Sequence, residues 1–186
     1  AETPTLYRMG QGFPMAGIPP AQRTVEPEIL YVTDRRPDLE DGTLTGYGYQ
    51  RSDSMAYGVA RVRFGDYATW PELLARTDET ARRRESLTTR SYAEELRFPE
   101  TPLPYIVTGA SAVADPAVAD TYRGTVGAFQ QALAARLKVA ERPEVIVFIH
   151  GFNSDLDDSL ATAASLWHFS GRFGVPITYS WPAGNR

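Results

Sequence analysis

The stretch from 145 to 181 constrains the fold more than any other part of the chain. Val145-Ile146-Val147-Phe148-Ile149 is a continuous apolar, β-branched run, of the kind that a parallel sheet buries on both faces. A turn, His150-Gly151-Phe152-Asn153, follows it. Leu156, Leu160, Ala163 and Trp167 then recur at spacings of four, three and four, which is one face of a helix. Ser154, with Asp155, Asp157 and Asp158, marks the helix start, and Gly171 or Gly174 marks its close. Residues 175–181 form the next strand. Strand, turn, helix and strand make a βαβ unit, whose crossover is right-handed and whose helix covers one face of the sheet. Ligands of such sheets sit at the carboxyl ends of the strands, so 150–153 is the expected chemical edge.

The rest of the chain is less regular. Residues 1–27 carry Pro4, Pro14, Pro19, Pro20 and Pro27 with Gly10, Gly12 and Gly17, which breaks any period and predicts an irregular arm. Residues 29–33 and the alternating run 57–64 read as strands, with a Gly- and Asp-rich loop over 38–56 between them. Thr69, Pro71 and Glu72 form a capping-box helix start running to Arg82, Arg83 and Arg84, where the arginines are a solvated helix end. Residues 85–114 show little pattern beyond a short strand at Tyr105–Thr108. Asp115 and Pro116 then open a long amphipathic helix, with Val118, Tyr122, Val126, Phe129, Leu133 and Leu137 on one face. Gly124 and Gly127 weaken it by about 1 kcal/mol each against Ala, so packing has to support it.

Composition narrows the function classes. A length of 186 residues suits one core. Two regions result: an arm over 1–27, and a single domain over 28–186. No run is long and apolar enough to be a transmembrane helix, and a net charge of −4 offers no general attraction to nucleic acid. The absence of cysteine excludes thiol catalysis and disulfides. No metal is expected, because His150 and His168 lack a spaced third ligand. No cofactor is expected either: the turn has only Gly151 where a dinucleotide loop needs three spaced glycines, and no phosphate-loop Lys follows. Ala1 in place of an initiator Met favours export or a periplasmic location over the cytoplasm.

What the turn can offer is a backbone amide at the top of a sheet, a donor suited to the transient oxyanion of acyl transfer. Residues 145–186, with HGFN and the later Ser180-Trp181-Pro182, resemble the start of the α/β-hydrolase fold, in particular an uncharacterised bacterial branch with those two motifs. Residues 29–36 (ILYVTDRR) and 57–64 (YGVARVRF) resemble it at lower specificity. The resemblance implies an α/β fold in which this chain is the N-terminal portion of the hydrolase sheet with its crossover helices, completed by a further segment or chain. It implies that the Phe152 N–H supplies part of an oxyanion hole, that Gly151 and His150 shape the turn, and that Asn153 and Trp181 lie near the mouth of an acyl pocket. From the residues alone, His150 reads as a turn residue bonded to backbone, Asn153 as an aid to the helix cap, and Trp181 as a core or packing aromatic.

The family pattern also needs a G-x-S-x-G elbow followed by an acid and a histidine. The nearest fragment, Gly109-Ala110-Ser111-Ala112-Val113, lacks the second glycine and precedes the turn. His168 falls mid-helix as a surface or packing residue. Nucleophile, acid and base are therefore expected on a C-terminal segment or companion chain, pairing with a bare edge at 175–181. The expected activity is hydrolysis of a small-molecule carboxylic ester by that combination. The alternative is a non-catalytic scaffold of the same fold that binds another protein.

Overall fold

The structure, a computed structural model, describes residues 13–14, 17–77 and 86–183. Its frame is a five-stranded mixed sheet. The strands are β1 (Glu28–Glu40), β2 (Thr43–Phe64), β3 (Leu87–Arg97), β6 (Val145–Ile149) and β7 (Val175–Ser180), in the order β3-β2-β1-β7-β6. β3, β2 and β1 pair antiparallel, whereas β7 runs parallel to both β1 and β6. A separate hairpin, β4 (Tyr105–Thr108) with β5 (Ser111–Ala114), stands outside this sheet. The helices are α1 (Trp70–Thr77), α2 (Pro116–Leu137) and α3 (Leu156–Phe169).

Side-chain alternation along the strands divides the core into two layers. Ile29 and Tyr31 of β1, with Ala60, Val62 and Phe64 of β2, face α1 and α3, where Leu73, Leu156, Leu160, Ala163 and Trp167 meet them. Leu30, Tyr57, Val59, Val175 and Ile177 face the opposite way, against Phe129, Leu133 and Leu137 of α2. This is the α/β architecture expected of the N-terminal portion of a hydrolase sheet. The start of α1 carries the anticipated reciprocal cap: the Glu72 N–H donates to Thr69 Oγ1 and Glu72 Oε2 accepts from the Ala68 N–H. At the far end of α3, the Arg172 N–H reaches the Trp167 carbonyl and the Gly171 N–H that of His168, each at 2.9 Å. That is a Schellman closure, with Gly171 in the left-handed conformation at φ 91°.

Several expectations are corrected. No loop fills 38–56; β1 and β2 join through Asp41-Gly42, both at positive φ (49° and 78°). An Asp-Gly pair with two left-handed residues is a tight hairpin turn, and its polar surroundings resembled a loop by composition alone. Residues 87–97, read as unpatterned, form the polar outer strand β3, and 111–114 form β5. The arginine run at 82–84, and 1–12 of the arm, fall outside the described residues. The part of the arm that is described has a 3₁₀ turn at Pro20–Gln22. It also buries Phe13, Ile18 and Val25.

The largest correction concerns the sheet edge. The strand at 175–180 is not bare; it lies between β1 and β6 and is almost wholly buried. The edge is β6 instead. Val145, Val147 and Ile149, expected to be buried, are 38%, 56% and 61% exposed. They share a face with Val175 and Ile177, but α2 covers only the inner strands of that face. A continuous apolar run establishes strand propensity, while burial depends on whether a neighbour sits on both sides.

Candidate functional site

The carboxyl ends of β7 and β6, and β1 at Arg35, converge on the turn 150–153. α3 begins directly after it, capped by Asp155, whose carboxylate accepts from the Asp158 N–H at 2.8 Å. Asp155 therefore takes the capping role that Ser154 was expected to hold.

Side chains hold the turn together. His150 is 4% exposed and its ring is bonded on both nitrogens. The Trp181 N–H donates to Nε2 at 3.1 Å, so Nε2 is an acceptor. The proton then belongs on Nδ1, which donates to the Gly151 carbonyl at 2.7 Å. The Trp181 indole N–H returns a bond to the His150 carbonyl at 3.1 Å. Its ring stacks on the imidazole, 5.6 Å between centroids and 4° from parallel. Asn153 occupies the left-handed region at φ 62°, a conformation that Asn tolerates better than most residues.

The five predicted site residues are thus contiguous in space, but not equivalent. His150 and Trp181 form the buried side of the turn; Gly151, Phe152 and Asn153 form its exposed rim. The Phe152 side chain is 78% exposed, and no hydrogen bond engages its backbone N–H among the described residues.

Two more residues enter that the sequence reading did not single out. Ser180, at the end of β7, lies 3.1 Å from His150 Nε2, a distance seen in nucleophile–base pairs. It is nevertheless 0% exposed, accepts from Arg35 Nε at 2.9 Å, and shares the imidazole lone pair with the Trp181 N–H. A substrate carbon has no access to it, so the pair is structural. The second residue is Arg35 itself, fully buried and bonded to β7, β2 and the turn. Burial lowers its pKa, while Asp155, Tyr49 and Asp34 favour the charged form. In the sequence Arg35 stands beside Arg36, and nothing local distinguishes the two.

No group of three or more potential metal ligands occurs among the described residues. None of the helices there is long and apolar enough to cross a membrane.

A mixed sheet with helices on both faces and a βαβ unit defines the α/β class. Residues 125–186 match the model of a family described as alpha/beta hydrolase of unknown function (DUF900), which supports the likeness to the α/β-hydrolase superfamily. The match covers α2 from Thr125 onward, β6, the turn, α3 and β7. A search of curated proteins and a search of solved structures found no match.

Proposed function

We propose that residues 28–186 form the N-terminal part of a serine hydrolase domain acting on small-molecule carboxylic esters, to which this chain contributes the oxyanion-hole turn. The observation that carries this reading is the Phe152 N–H, unengaged on the exposed rim of a side-chain-braced turn at the carboxyl edge of a parallel sheet. Gly151 leaves space there, since a Cβ at that position would meet nothing within 4 Å. Asn153 and Trp181 flank the acyl-pocket mouth. The nucleophile, acid and base come from a C-terminal segment or companion chain whose first strand pairs with β6. The open edge of β6, and the exposed Val145, Val147 and Ile149 beside it, support that placement.

Fluorophosphonate labelling of the protein isolated from its source, followed by peptide mass spectrometry, tests this. The label is expected on a G-x-S-x-G serine and on no residue of this chain; absence of any label defeats the reading. Phe152→Ala keeps the backbone donor and should leave turnover within about twofold. Phe152→Pro removes the N–H and should lower kcat about 10²–10³-fold, the usual cost of one oxyanion donor.

The second reading, a scaffold that binds another protein, is favoured by the separate β4–β5 hairpin, where Tyr105 and Val107 are 68% and 71% exposed. A stable complex with an unrelated chain, without fluorophosphonate labelling, would select it.

A further inference from the structure

Arg35 and Arg172 are the largest fully buried side chains among the described residues. Arg172 is accounted for by packing. It bonds the Gln22 and Thr24 carbonyls and lies against Phe64, Trp70 and Trp167. Arg35 is different, because its contacts all converge on the top of the sheet. Nε donates to Ser180 Oγ at 2.9 Å and Nη1 to the Gly48 carbonyl at 3.1 Å. Nη2 donates to the Ser154 carbonyl at 2.6 Å and lies 3.5 Å from His150 Nε2. The guanidinium is also 5.6 Å from the Tyr49 ring centroid. No carboxylate forms an ion pair with it among the described residues, so its desolvation is offset by these bonds and by the more distant charges of Asp155 and Asp34.

Two of the partners, His150 and Ser154, bracket the turn. Phe152 and Asn153 form a turn, yet no backbone–backbone hydrogen bond of good geometry closes it among the described residues, so side chains help to fix its shape. The Gly151 carbonyl and the Phe152 N–H belong to one planar peptide unit and point in opposite directions. When His150 Nδ1–H holds that carbonyl, it also aims the Phe152 N–H outward. Nδ1 carries the proton because the Gly151 carbonyl accepts there and donors face Nε2: the Trp181 N–H and the Ser180 hydroxyl at 3.1 Å each, with Arg35 Nη2 at 3.5 Å. Ser180 Oγ accepts from Arg35 Nε, so its own proton is directed to the imidazole.

We propose that Arg35 is a positioning residue for the oxyanion turn, acting through the His150 tautomer and the Ser154 carbonyl to orient the Gly151–Phe152 peptide. The proposal rests on the oxyanion reading of Phe152 for its functional meaning, but not for its geometry. Lys cannot replace Arg here, because one ammonium cannot reach Ser180, Gly48 and Ser154 together in the planar fork that the guanidinium provides.

The test separates the two levels. Ring nitrogen NMR of the wild-type chain should find His150 neutral with its proton on Nδ1; a proton on Nε2 overturns the proposal without any variant. In Arg35→Met and Arg35→Lys the ring should populate both tautomers. Amide exchange at Phe152 should rise about tenfold or more, while Tyr31 and Ile177 in the core keep their protection. A folded variant with wild-type tautomer and wild-type Phe152 exchange also overturns it. If fluorophosphonate labelling occurs, it should slow in Arg35→Lys by about tenfold or more. If labelling fails in the wild type while the tautomer result holds, the hydrolase reading falls and the positioning of the turn stands.

Discussion

His168 shows how one residue can be fully satisfied and still shape the pH response. It sits in mid-α3 at 1% exposure. Arg172 Nε donates to its Nδ1 at 3.0 Å, its Nε2 lies 2.9 Å from Thr77 Oγ1, and that hydroxyl passes its proton to the Leu73 carbonyl. Burial, reinforced by the Arg172 charge, pushes the imidazole pKa down to about 2. The folded protein therefore binds no proton at His168 when the unfolded chain, near 6.5, already does. This contribution to stability is complete above about pH 6.5 and is lost as pH falls toward the folded value. Chemical denaturation between pH 7.5 and 5.5 should show stability declining on acidification; in His168→Gln that part of the slope should vanish. An unchanged slope would mean the imidazole is protonated in the native state. Mid-helix spacing left 168 as a surface or packing residue, and the relay to Thr77 joins residues 91 apart, which no periodicity reports.

At the scale of elements, two glycines of the β1–β2 hairpin, one in its turn and one in β2, separate two physical reasons for the same residue type. Gly42 needs a positive φ, and a Cβ there would meet nothing within 4 Å. Gly42→Ala should therefore cost only the backbone penalty, about 1 kcal/mol. Gly58 has the reverse problem: an added Cβ would lie 2.3 Å from the Ala93 carbonyl of β3 and 2.4 Å from the Tyr31 ring. Gly58→Ala should cost about 1–3 kcal/mol or more through overpacking, with raised amide exchange along β3. Urea unfolding of the two variants checks the order, and equal losses would contradict the steric argument. The alternation of 57–64 and the periods of α2 and α3 were legible because each is a local pattern. β3 was not, because an outer strand with a polar face carries only a weak alternation. The stripe of α2 was read correctly, yet none of its residues is fully buried, since helical phase says nothing about how much surface lies opposite.

For the whole molecule, the incompletely covered face at β6 is the main feature. Val147 and Ile177 are register partners on one face of neighbouring strands, 56% and 5% exposed. Val147→Lys should change stability by no more than about 0.5 kcal/mol, whereas Ile177→Lys buries a charge in the α2 layer and should prevent folding. Circular dichroism checks the contrast. On the proposed function, Val147→Lys should also block pairing of the completing strand at β6 and abolish fluorophosphonate labelling without unfolding this chain. Labelling at the wild-type rate would move that strand elsewhere.

By itself the sequence determined the βαβ unit, the position of the turn at the carboxyl edge of its strands and the lack of a G-x-S-x-G motif, because each is written in residues close along the chain. Only the tertiary structure decided which strand is the edge and which arginine of Arg35-Arg36 is buried. It also decided that the His150 ring braces the peptide it follows into. These outcomes depend on partners 30 to 145 residues away, such as Ser180, Trp181 and Ser154, and sequence spacing carries no record of which distant groups meet.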